Sequence, residues 1–142
     1  MEGKTQANMG TWHESKLRVR FEETDLMQVV YYSKFFVWME VGRINLLRDI
    51  GLAYQEWEKK GFHIPVVQAH ADYKSSARFD DEIVVKTRIG TAGTSSIRFE
   101  NEIFKLPQME LLCAGHTVHA LIGKGGRSVP IPVDLKAKLT SS

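Results

Sequence analysis

24-TDLMQVVYYSKFFVWMEVGR-43 places a lone carboxylate, Asp25, where the chain turns apolar and then enters a helical pattern. Glu22, Glu23, Thr24 and Asp25 close a polar run. Leu26, Met27, Val29 and Val30 follow, then the pair Tyr31 and Tyr32. From Ser33 onward, Phe35, Phe36, Met39, Leu46, Leu47 and Ile50 recur every three or four residues, the spacing of an amphipathic helix. Such a helix has about five turns and runs roughly 27 Å at 1.5 Å per residue. Ser33 is placed to cap its start, and Gly51 to take the left-handed position after its last turn. Gly42, mid-helix, predicts a close neighbour at that point.

Upstream of this stretch, Leu17, Val19 and Phe21 alternate with Arg18, Arg20 and Glu22, as in a strand with one buried face. Downstream, a short helical piece over 52–60 ends at Gly61. The chain around and after Pro65 reads as strands over 64–78, 83–89, 97–103 and 111–122. Breaks fall at Phe79-Asp80-Asp81-Glu82, at 90-GTAG-93, around Pro107 and at 123-GKGG-126. The expected order is one strand, one long helix, a helical turn and a four-stranded antiparallel meander. A run as long as 64–78 predicts a bulge or strong curl. The fold class is α+β: a curled antiparallel sheet of about five strands wrapped around one long helix. Residues 1–15 read as a loose leader, 16–133 as the domain and 134–142 as a loose tail.

The 142 residues suit one domain with a full core, at 43% hydrophobic and 25% charged. A formal charge of +2, with scattered basic residues, argues against nucleic acid or an anionic membrane as partner. No apolar run approaches the ~20 residues that span a bilayer. Cys113 stands alone, which excludes an internal disulfide and suits a reducing compartment, the cytoplasm.

The motif Thr24-Asp25, then Val29-Val30-Tyr31-Tyr32, then Glu40 and Arg43, resembles the hotdog-fold acyl-CoA thioesterases of the 4-hydroxybenzoyl-CoA thioesterase type, including the Tol-Pal-associated branch. The likeness continues through 64-IPVVQAHADYKSSARFDDEIVVKTRI-89 and covers roughly 16–133. It implies hydrolysis of an acyl- or aroyl-thioester of coenzyme A or acyl carrier protein to a free acid and a thiol. It also implies a homodimer or a dimer-of-dimers tetramer, with the site at a subunit interface. The family's catalytic aspartate falls on Asp25. Its oxyanion donor, a backbone N–H at the start of the helix, falls on Tyr32. Gln28 stands where these relatives usually carry glycine, and Lys34-Phe35 where asparagine-tyrosine is common. No cofactor is implied.

The chemistry can be argued without the family. Thioester hydrolysis needs a nucleophile or a base, and a donor for the oxyanion that develops. A helix start offers unpaired N–H groups and a partial positive charge. Glu40 is the rival carboxylate, expected instead to pair with Arg43 or Lys34. His116 and His119 point to opposite faces of one strand, while His70 and His116 are placed to meet across strands; no metal site is expected. Cys113 reads as a packed thiol. The 123-GKGGR-127 segment opens no helix, so it reads as a turn rather than a phosphate loop, and no G-x-S-x-G occurs. Two alternatives remain at this stage: a non-catalytic acyl-thioester-binding module, and a hydratase or dehydratase, which would need a histidine near the helix start.

Overall fold

The structure, a computed structural model, describes residues 10–141. Its sheet has five antiparallel strands: β1 (His13–Arg18), β2 (Val66–Tyr73), β3 (Glu82–Ala92), β4 (Ser96–Lys105) and β5 (Glu110–Ala120). Three helices accompany them: α1 (Lys34–Asp49), α2 (Tyr54–Lys59) and α3 (Val133–Thr140). The strand order is β1-β3-β4-β5-β2.

This order corrects the expected four-stranded meander. Only β3, β4 and β5 follow one another as hairpins; β2 pairs with β5. The far edge of β3 is taken by β1, from His13↔Thr87 to Arg18↔Glu82. The sequence reads as strand up to 78 and a turn at 79–82, but the strand ends at Tyr73 and residues 74–81 carry the chain from one side of the sheet to the other. Tertiary hydrogen bonds hold them: Lys74 N–H donates to the Leu112 carbonyl and Val30 N–H to that of Ala77. The expected bulge lies between Val66 and Gln68.

The helix α1 buries Phe35, Trp38, Met39, Gly42, Leu46 and Leu47 against the sheet. Near its start these meet Ile83, Val85, Ile103, Leu112 and Cys113; near its end, Ile89, Ile97, Phe99 and Leu121. Gly42 is the close approach its position predicted. A Cβ there would fall well inside contact with Thr87 Oγ1 and 3.0 Å from Val85 Cγ1. We therefore expect Gly42→Ala to destabilise the fold by about 1–2 kcal/mol in denaturant unfolding: overpacking outweighs the gain in helix propensity. Unchanged stability would show that α1 does not sit this close to β3.

Both chain ends depart from expectation. The strand β1 starts inside the supposed leader, and the Gly10 N–H donates to Ile89 O at 2.7 Å. The rest of that leader lies outside the described residues. The supposed tail forms α3, with Leu135 and Leu139 buried in the core. A two-turn helix has little stability alone, and its leucines order it by packing. Phe21 was expected on the buried strand face but is 75% exposed. The cause is that β1 ends at Arg18 and a 3₁₀ turn, Phe21–Glu23, redirects the chain. Ser33 precedes α1 without a side-chain capping bond, since its own backbone is already helical. Gly51 does take the left-handed position, at φ 80°. Among the described residues no helix is long and apolar enough to cross a membrane.

Candidate functional site

The loop ahead of α1 is organised by the carboxylate it carries. Asp25 Oδ1 accepts the N–H of Met27 at 2.8 Å and, more weakly, that of Val29 at 3.4 Å. The Asp25 backbone adds two bonds, its N–H to Val29 O and its O from Gln28 N–H, both 2.9 Å. Thr24 and Val30 bridge across the base of the loop. Asp25 Oδ2 accepts nothing among the described residues, so one oxygen is tethered and the other is available. A turn this tight needs a left-handed residue, and Gln28 supplies it at φ 67°. Gln28 thus occupies a conformation that glycine would adopt without steric cost.

The chain then enters α1. Tyr31 N–H donates to Glu23 O, and the Tyr32 carbonyl accepts the hydroxyl of Tyr73 at 3.1 Å. The N–H groups of Tyr32 and Ser33 find no acceptor among the described residues, as expected of the first amides of a helix. Asp25 and the tyrosine pair share one electrostatic neighbourhood. The Tyr31 hydroxyl is pushed above the ordinary phenol value first by its hydrogen bond with Tyr32, and the Asp25 charge adds to the rise. Asp25 itself borders a cavity of about 500 Å³ with Phe21, Thr24, Gln28, Arg78 and Phe79. Tyr32 is not part of that lining; its ring packs on Tyr31 and Tyr73.

One member of this neighbourhood carried no local signal. Glu23 is 3% exposed, and its two oxygens accept Arg20 N–H at 2.8 Å and Trp38 Nε1–H at 3.0 Å. It ties the loop to the first turns of α1. Its partner is fifteen residues away, beyond the reach of pattern reading.

A larger cavity, about 620 Å³, opens beside the second half of α1. Its lining includes Glu40, Arg43, Tyr54, Trp57, Phe62 and His119. The expected Glu40–Arg43 or Glu40–Lys34 pair does not form. Glu40 is exposed, and Arg43 makes no ion pair among the described residues. His119 is buried; its Nδ1–H donates to Ile64 O at 2.8 Å, and Nε2 lies 3.0 Å from Thr117 Oγ1. On the opposite face of β5, His116 stacks on His70 with centroids 5.3 Å apart. The described residues contain no cluster of three or more His, Cys, Asp or Glu able to hold a metal. Burial pushes the Cys113 thiol up to about 11, so it stays protonated and acts as a small apolar side chain.

A curled five-stranded sheet on one central helix, with a carboxylate-bearing loop feeding that helix, defines the hotdog architecture. The chain belongs to the thioesterase-like superfamily, whose profile matches residues 19–139. It is 44% identical over 79 residues to "Putative acyl-CoA thioesterase YneP" of Bacillus subtilis. That match covers 54% of this chain and 57% of that protein. Among solved structures, a hypothetical protein from Thermus thermophilus superposes with a TM-score of 0.84 at 30% identity, covering 89% of this chain and 96% of the other. The DHNA-CoA thioesterase of Staphylococcus aureus gives 0.79 at 28% identity, covering 87% and 82%.

Proposed function

We propose that this protein is an acyl-CoA thioesterase, hydrolysing an acyl- or aroyl-thioester to a carboxylic acid and a thiol. Asp25 attacks the thioester carbonyl or takes a proton from the attacking water. The Tyr32 N–H receives the charge that develops on the carbonyl oxygen. Two observations support this reading: a carboxylate tethered through one oxygen, and unclaimed amides a few residues further on, at the entry to α1. A donor already fixed in place needs no reorganisation as the oxyanion forms. The relatives' names, acyl-CoA thioesterase and DHNA-CoA thioesterase, support the same reaction class. Thiol release from a panel of short, long and aromatic acyl-CoAs tests it; tight acyl-CoA binding without release would favour a non-catalytic module instead. The single buried thiol supports a reducing, cytoplasmic location.

The proposed site is completed by a second copy. The strand β2 lies at the sheet edge, almost every residue exposed, with Val66 and Val67 48% and 61% accessible. An open strand edge, with its unpaired N–H and C=O groups, is a template for pairing. We assign it to an antiparallel β2–β2 homodimer, which can pair again into a tetramer. Such pairing sets the Val66 end of one copy beside the Tyr73 end of the other. Tyr73 contacts Tyr32 and Phe35 at the helix start, while Val66 borders the 620 Å³ cavity. One copy's helix start therefore meets its partner's cavity. Val67→Lys is expected to shift the protein to monomer in sedimentation, with loss of turnover. An active monomer would remove the shared site.

A further inference from the structure

Arg43 is 6% exposed, yet its guanidinium faces the 620 Å³ cavity without a carboxylate partner. Its one hydrogen bond runs from Nε to the Tyr54 hydroxyl at 3.1 Å, and its carbon lies 6.0 Å from the Phe99 ring centroid. The two Nη groups have no acceptor among the described residues. These groups are not among the enclosed unpartnered polar atoms of the described residues, so they open onto the cavity, where an acceptor arriving from outside can take the place of water. The phenol of Tyr54 accepts from Nε, so its own hydrogen is free to donate. Two kinds of donor thus converge beside walls made of Trp57, Phe62 and Ile64.

The cavity also carries Glu40, Glu58 and His119, and none of them forms an ion pair with Arg43. His119 is engaged by Ile64 O and Thr117 Oγ1, and burial together with the Arg43 charge keeps it neutral. Glu40 and Glu58 are exposed and make no pair with Arg43. Planar guanidinium donors match carboxylate or phosphate oxygens bidentately, and the apolar walls beside Arg43 suit an acyl chain that ends in a carboxylate.

We propose that Arg43, with Tyr54, binds a carboxylate at the far end of the acyl group, so that the preferred substrates are carboxyacyl thioesters. This rests on the thioesterase reading above and on the cavity lying across the β2 edge from the partner's helix start. The apolar walls take the methylene chain or ring, and Arg43 selects the terminal charge. The thioester carbonyl stays with the partner's helix start, and the bond broken remains the acyl–sulfur bond. Arg43 takes no part in that step.

The test compares adipoyl-CoA with hexanoyl-CoA, equal in chain length and differing in the terminal carboxylate. The parent is expected to favour adipoyl-CoA in kcat/KM. Arg43→Met should lower that preference roughly ten- to a hundredfold, Tyr54→Phe several-fold, and Arg43→Lys should restore part of it. A preference equal in parent and Arg43→Met, with both folded by circular dichroism, overturns the proposal while leaving hydrolysis standing. Calorimetry with free adipate and hexanoate gives a second readout independent of turnover. Adipate binding that is lost in Arg43→Met, with no hydrolysis of any thioester, would keep this site and remove the enzymatic reading. Equal, Arg43-dependent binding of both acids would mean that the residue holds the product's new carboxylate, and the assignment to the distal end would fall.

Discussion

Asp25→Asn is expected to lower kcat for acyl-CoA hydrolysis by about 10²–10⁴-fold, the range for losing a positioned base or nucleophile. The substitution is a clean one because asparagine keeps an oxygen where Oδ1 accepts the Met27 N–H. The loop, the bridge between Thr24 and Val30 and the entry to α1 should all survive, with an unfolding midpoint close to the parent's. What is lost is the charge on the oxygen that no backbone group engages. KM should move little, since that oxygen acts on the carbonyl rather than on the thiol carrier. A kcat within a few-fold of the parent, measured as thiol release, would sink the assignment. Single turnover in heavy-oxygen water adds a refinement, because label appearing in the Asp25 carboxylate identifies it as the nucleophile.

The second large effect concerns pH and stability. Burial holds His119 down to about 4, against the opposing hydrogen bond to Ile64 and with some help from the Arg43 charge. An unfolded histidine titrates near 6.5. Between those values the unfolded chain binds the proton and the folded chain does not, so protonation favours unfolding. The contribution is complete above about pH 6.5 and is lost progressively down to about pH 4, amounting to ~3 kcal/mol over that span. Urea unfolding at pH 7.5 and pH 5 should show most of the decline. His119→Gln should flatten it, at the cost of some stability at neutral pH. His116 is displaced in the same direction, first by burial, and adds to the slope. A stability that is level between pH 7.5 and 5 would show that His119 accepts its proton in the folded state.

These two residues were legible in the sequence to different degrees. Asp25 stood out because it is a lone acid between an apolar loop and a helix start, and local spacing is enough to say so. The loop's conformation was not legible: Gln28 was read only as a departure from the usual glycine, and its left-handed backbone at φ 67° emerged from the structure. His119 read only as an alternating strand residue. Its burial comes with the bond to the Ile64 carbonyl fifty-five residues away and the edge contact with the Phe99 ring on β4. The same holds for Arg43, whose i−3 neighbour Glu40 promised an ion pair. Helix geometry brings such side chains within reach, but packing against Tyr54 and Phe99 turned the guanidinium inward and left Glu40 in water.

Chain periodicity by itself determined the α+β class, the span of the central helix, the close approach at Gly42 and the acid placed ahead of that helix. These features depend on which residues recur within one turn or one strand, and neighbours in sequence suffice to express them. Tertiary structure alone decided that β2 crosses to β5, that the C-terminal leucines fold into a helix, and that Glu23 and Arg43 are buried. The physical reason is that each depends on a free-energy gain from surfaces far apart in the chain. A strand pairs wherever an open edge is closest, and a charge is buried wherever the packed elements leave it no path to water.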